Sequence, residues 1–306
     1  MTRLSFNGDS GAKRHYLDRL RDHIAAGNFQ FSPVWADGKG SALGCTIEAD
    51  DIDRYADALG VPAALAMVLD DLVNAQPSER SFRHATDFAL RWLAAIPVGA
   101  DLSPIPGTII CALLGHVMLC DTTSRHPAMD EVRRAVSDLH YRVLDGQEVN
   151  PTSWREVRRR AVRITDAVDG EIESGAARVI EAAAWPHLTR TALRDTLDAL
   201  SRLANNKAMQ AIGWTMAEET ATFAMFDAIF TEKAATGETM VGDDLLAELT
   251  RRDPLLGARF EERNGAADIS RNIRVLAGEA ILEQFAAIGG IEDAPMRLPP
   301  RQTRSS

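Results

Sequence analysis

The stretch Gly11-Ala12-Lys13-Arg14-His15-Tyr16-Leu17-Asp18-Arg19-Leu20-Arg21-Asp22-His23-Ile24-Ala25-Ala26 sets the pattern for the whole chain. Tyr16, Leu17, Leu20 and Ile24 fall on one stripe at helical spacing, charged residues fill the other side, and Gly27 supplies a stop. The same period recurs outward from here, and no convincing run of alternating β-branched residues interrupts it. Helices are predicted over 47–59, 62–75, 78–95, 105–120, 128–144, 153–184 with a kink near Gly170 and Gly175, 186–204, 207–235, 243–252, 254–263 and 267–288. Pro62 sits at a favoured first-turn position. The reading is an all-α, multi-helix globular array.

The sharpest interruption is Asp145-Gly146-Gln147-Glu148-Val149-Asn150-Pro151, which joins a turn pair to a helix-blocking proline. It divides the chain into a compact N-terminal helical region, 1–146, and a C-terminal helical bundle, 151–290. The tail 291–306 carries Pro295, Pro299, Pro300 and scattered arginines with little apolar content, and is expected to be disordered.

With 306 residues the chain can bury a substantial core, and with aromatics at 6% that core must be mainly aliphatic. A formal charge of −10 argues against general nucleic-acid binding, which needs a concentrated basic surface. Three cysteines form no disulfide framework and suit a reducing compartment. Met1-Thr2-Arg3-Leu4-Ser5-Phe6 lacks the apolar run of a signal peptide, and Ile105–Cys120 is shorter than the ~20 residues of a bilayer crossing and reads as a core helix. A cytoplasmic protein without membrane or nucleic-acid partners is expected.

Between the first two predicted helices lies Lys39-Gly40-Ser41-Ala42-Leu43-Gly44-Cys45-Thr46, punctuated by glycine and preceded by Gly38. Glycines permit backbone angles that other residues avoid, and Thr46 is placed to cap the following helix. Read with 16–23, with Leu59-Gly60-Val61-Pro62 and Leu69-Asp70-Asp71, and with Ala95-Ile96-Pro97-Val98-Gly99-Ala100-Asp101-Leu102, this loop resembles a group of uncharacterised bacterial proteins over roughly the first hundred residues. In that group a second cysteine stands where this chain has Ser41, and the C-terminal half is richer in alanine. The resemblance implies a shared fold and no particular chemistry, and Ser41 argues against a two-thiol device.

Four constellations are candidates for function. Cys45, His23 and Asp70 or Asp71 offer a thiol nucleophile, a base and an orienting carboxylate; a cysteine at a helix N-terminus gains thiolate character, but Glu48, Asp50, Asp51 and Asp53 oppose it. The thiol reading is a cysteine-dependent transferase or hydrolase. Asp70-Asp71 with Asn74, and Asp243-Asp244 with Glu248, are helix-face oxygen sets of the kind that hold Mg²⁺ and a diphosphate in class I isoprenoid synthases, although neither has that family's full motif. Residues 53–72 mimic helix-turn-helix spacing, but Ala63 to Asp71 hold nothing that reads a base edge. Arg155, Arg159 and Arg163 share one face of a helix with Arg158 and Arg160 beside them, and cations in its first turns run against the helix dipole. Their compensation is expected from Glu156 with Arg160 and from Asp166 and Asp169 further along, or from an acidic surface elsewhere on the chain; an anionic ligand or partner is the functional alternative.

The histidines at 84, 116, 126, 140 and 187 show no paired metal-ligand spacing, and no nucleotide-type glycine loop is present, so no metal and no cofactor is assigned. Every catalytic set is explained at least as well by packing or solvation. The expected function is therefore that of a non-enzymatic helical interaction or scaffold protein with an unidentified protein partner.

Overall fold

The computed structural model describes residues 3–77, 82–237 and 243–289, and within them the chain is all-α: fourteen helices and one small antiparallel hairpin. A 3-10 turn at Ser5–Gly8 leads into α1 (Ser10–Ala25), and the hairpin follows as β1 (Trp35–Ala36) and β2 (Lys39–Gly40). Next come α2 (Ala42–Ile47), α3 (Ile52–Leu59), α4 (Ala63–Asn74), α5 (Arg83–Ala95), α6 (Ile105–Leu114), α7 (Val117–Ser124) and α8 (Pro127–Leu144). The second half contributes α9 (Pro151–Ala167), α10 (Glu171–Ala183), α11 (Ala192–Ile212), α12 (Met216–Thr236), α13 (Asp243–Arg252) and α14 (Pro254–Gly289).

One contiguous core runs through both halves, from Phe6 to Phe285. α4 packs against α11, and Leu65, Val68, Leu69 and Leu72 of the one and Leu193, Leu197, Leu200 and Leu203 of the other are all buried at helical spacing. The C-terminal part of α14 lies across α4, α5 and α6, with Phe285 set edge-on to Trp92 at 5.2 Å between ring centres. The Asp145–Asn150 segment is thus a turn between α8 and α9 whose flanking helices share a core.

Several boundaries differ from the sequence expectation, each for a local reason. Residues 47–59 do not make one helix: Glu48 takes a left-handed conformation (φ 52°), and α3 restarts where Asp51 accepts a hydrogen bond from the Arg54 amide at 3.0 Å. The apolar stretch 105–120 bends by 49° between α6 and α7, and the His116 ring caps α7 by accepting from the Met118 amide at 3.3 Å. The 153–184 segment breaks fully at Val168–Gly170. α11 passes through Asn205 and Asn206 without a break and stops at Gly213 (φ 63°), and 254–289 forms one uninterrupted helix. The expected tail at 291–306 and the start of the 78–95 helix lie outside the described residues. Among the described residues no single helix is long and apolar enough to cross a membrane; α6 with α7 reaches that length and composition only as the bent pair.

Candidate functional site

The glycine and cysteine loop is built by close backbone approach. Asp37 and Gly38 turn the hairpin with φ of 50° and 77°. The Val34 carbonyl then lies against the start of α2, accepting from the Ser41 amide at 2.9 Å. A Cβ on residue 40 or 44 would stand 2.2 or 1.7 Å from that carbonyl oxygen, so only glycine fits at either place. α2 is capped by Ser41, five residues before the expected Thr46 cap. The Ser41 hydroxyl accepts from Gly44 N at 3.3 Å and donates to Asp70 at 2.6 Å, while the other Asp70 oxygen accepts from Leu43 N at 3.1 Å. Asp70 is therefore a cap supplied to α2 by a different helix, and burial raises its carboxyl above the ordinary value against these hydrogen bonds.

These contacts put Cys45 near the end of α2, not at its beginning, which removes the expected help from the helix N-terminus. Its thiol is fully buried and donates to the Gly40 carbonyl at 3.2 Å. Burial pushes it up to about 11, with Asp70 and Glu48 adding to the rise. His23 faces elsewhere: its Nε2 meets Glu48 at 3.2 Å, and its ring stands edge-on to Trp35 at 5.2 Å. His23 and Glu48 line a hollow of ≈ 470 Å³ that does not include Cys45. Cys45, His23 and Asp70 have three separate sets of partners, and the structure does not join them into a relay.

The acidic sets disperse as well. Asp71 binds Arg194 at 2.7 Å, and Glu248 binds Arg251 and Arg252 at 2.6 Å each. Among the described residues no group of three or more His, Cys, Asp or Glu side chains comes together to hold a metal. α3 and α4 form a plain hairpin joined at Gly60.

The arginine face of α9 has a different environment. Asn150 caps this helix by accepting from the Thr152 amide at 2.8 Å, and Pro151 occupies its first turn. Trp154, Val157 and Ala161 turn inward to the core. On the neighbouring flank Arg155, Arg158, Arg159 and Arg163 line one cavity of ≈ 1230 Å³. Its other walls come from the end of α8 and the following turn, including Val143, Glu148 and Val149, and from Ala184, Trp185, Pro186 and Thr189 between α10 and α11. The Arg158 guanidinium lies 3.7 Å from the centre of the Trp185 ring, and its Nε is buried without a hydrogen-bond partner. Arg155 donates to the Thr152 hydroxyl at 3.1 Å, and Arg159 pairs with Glu156. Arg163 has no ion-pair partner among the described residues. Arg160 turns away to Glu131 at 2.6 Å, so the compensation expected between Arg160 and Glu156 is divided differently.

A buried pair of histidines underlies this cavity. The His140 ring packs edge-on against Trp154 at 4.8 Å and lies 6.1 Å from the His187 ring. His140 Nε2 donates to the Ala183 carbonyl at 2.8 Å, next to the cavity wall at Ala184, and the Nδ1 atoms of both histidines are buried without partners. Burial lowers His140 to about 4 and lowers His187 as well, so both rings are neutral at pH 7. No spacing in the sequence pairs these residues. The one signal was apolar company, Leu139 before His140 and Trp185-Pro186 before His187.

No protein-family model, curated protein or solved structure matches the chain.

Proposed function

We propose that the protein is a non-enzymatic binding protein that captures an anionic partner in the cavity beside α9. The observation that carries this reading is a local reversal of charge. On a chain with a formal charge of −10, four arginines and a single glutamate, Glu148, line one large concavity. Like charges so close repel one another, and a bound anion relieves that repulsion while using guanidinium donors that match oxyanions. The buried donor on Arg158 is part of the same argument, because an unpaired polar group away from water is costly until something meets it. The thiol reading gains no comparable support, since the Cys45 sulfur is buried and its thiolate disfavoured.

The test is saturable binding of the fluorescent anion 8-anilinonaphthalene-1-sulfonate to the folded full chain, compared with the double variant Arg155→Glu/Arg163→Glu. Both positions are exposed on α9, so reversing them leaves the core intact. The expected result is at least a tenfold loss of affinity with unchanged melting. Equal binding by the variant refutes the reading.

A further inference from the structure

We infer that the occupant of the α9 cavity is an amphipathic organic acid, an oxyanion headgroup carried on a large apolar body; this rests on the anion-binding reading above and specifies its ligand. Three features of the cavity lead there. The first is size. At ≈ 1230 Å³ it exceeds the ~300–1,000 Å³ of ordinary small-molecule clefts, far more than an inorganic ion fills.

The second is the division of its lining. Val143, Val149, Trp154, Val162, Trp185 and Pro186 give an extensive apolar wall, whereas every cation comes from α9. Arg155, Arg159 and Arg163 are one helical turn apart in succession, about 6 Å per step, so they form a rim along the helix and not a closed cage around a central ion. A bare phosphate engaging this rim leaves the tryptophan and valine wall in contact with water. A neutral apolar molecule covers the wall but leaves the guanidiniums unmatched and, at Arg158, desolvated. A molecule with both parts satisfies both surfaces.

The third is how many guanidiniums are already engaged. Arg159 is neutralised by Glu156, and Arg155 is tethered to Thr152. Arg158, its guanidinium over the Trp185 ring and its Nε unpaired, and Arg163, without an ion-pair partner among the described residues, are the two whose capacity is least used. Two guanidiniums suit one carboxylate or one phosphate monoester, and they fall short of what a polyanion would need. Arg158 stacked on an indole also joins cation and apolar surface at one point, where a headgroup meets the chain behind it.

The experiment is isothermal titration of the full chain with decanoate, decyl phosphate, 1-decanol, inorganic phosphate and hexaglutamate. Decanoate and decyl phosphate are expected to bind one per chain, each at least tenfold more tightly than 1-decanol, inorganic phosphate or hexaglutamate. The ratio between the two acids identifies the preferred headgroup. Arg163→Glu is expected to weaken both acids at least tenfold and leave 1-decanol unchanged, whereas Trp185→Ala weakens acids and alcohol alike. If inorganic phosphate or hexaglutamate binds as tightly as the decyl acids and Arg163→Glu abolishes that binding, the cavity reads charge alone: the amphipathic ligand is refuted and the anion-binding reading stands. If none of the anions binds, or Arg163→Glu changes nothing, both readings fall together.

Discussion

Acidification should destabilise this protein through His140 in a pH window set by its burial. In the unfolded chain the imidazole titrates near its ordinary value of 6.5; in the fold it is lowered to about 4. The native state therefore refuses a proton that the unfolded chain accepts. The contribution of neutral His140 to stability is complete above pH 6.5, is lost progressively below it, and stops changing below about pH 4. Each pKa unit is worth about 1.4 kcal/mol. The loss should reach about 1 kcal/mol at pH 5.5 and about 3 kcal/mol at pH 4.5. His187, lowered in the same direction and 6.1 Å away, adds to it. Carboxylates also titrate in this range, so the informative quantity is a difference. His140→Gln keeps a donor for the Ala183 carbonyl and removes the titration. Urea unfolding of both proteins at pH 7.5, 6.5, 5.5 and 4.5 should give stability curves that converge towards acid by about 3 kcal/mol. If the two curves stay parallel throughout, His140 is hydrated or already charged in the fold, and the reasoning from its burial is wrong.

Gly44→Ala should cost about 2–4 kcal/mol of unfolding free energy, because the new Cβ would meet the Val34 carbonyl and the backbone must move; Gly38→Ala, at a left-handed turn with open space around it, should cost only about 1 kcal/mol. Equal effects at the two positions in denaturant titrations would contradict the close-approach account. Cys45, pushed up to about 11 by burial, and Cys111, pushed up to about 12, should both alkylate more slowly in the folded protein at pH 7.5 than the partly exposed Cys120. Peptide mapping after brief iodoacetamide treatment checks this, and fast labelling of Cys45 would reopen the thiol reading. Binding of the amphipathic acids should weaken as salt rises, since guanidinium attraction is screened, while 1-decanol binding should hold or strengthen.

Much of the fold was legible because a helix writes its face into the local sequence. α1, α4, α8 and α13 fall within a residue or so of their periodic segments. Errors arose where the deciding contact is distant or the signal lay in capping and not in periodicity. Nothing in Ile47-Glu48-Ala49 breaks a helix by composition; the break is visible only in Asp51, an N-cap for α3. Asn205-Asn206 looked like an interruption, yet α11 continues because it packs on α10 and α14, while the real end was marked by the capping box of Thr215 and Glu218. From the sequence, the glycines of the loop read as sites of permissive backbone angles. That explains Gly38, whereas Gly40 and Gly44 have no positive φ and are required by a carbonyl that arrives from another segment.

The same distinction separates the two candidate sites. A row of arginines at every fourth residue is a statement about one helix, so the face formed by Arg155, Arg159 and Arg163 could be read without knowing its surroundings. Its opposite wall, Ala184 to Thr189, and the histidine pair beneath could not, because they depend on how α8, α9 and α10 meet. Cys45, His23 and Asp70 needed tertiary proximity from the outset, and proximity in a folded chain is set first by burial. Cys45 and Asp70 lie on apolar helices and were drawn into the core, where the thiol found a carbonyl and the carboxylate found a hydroxyl and an amide. His23 sits at the polar end of α1 and stayed with Glu48. Arginines resist that inward pull, since their charge cannot be neutralised by a pKa shift. Arg158 therefore persists as charge against hydrophobic surface, over the Trp185 ring with its Nε unpaired, and it is this contact that the proposed amphipathic anion completes.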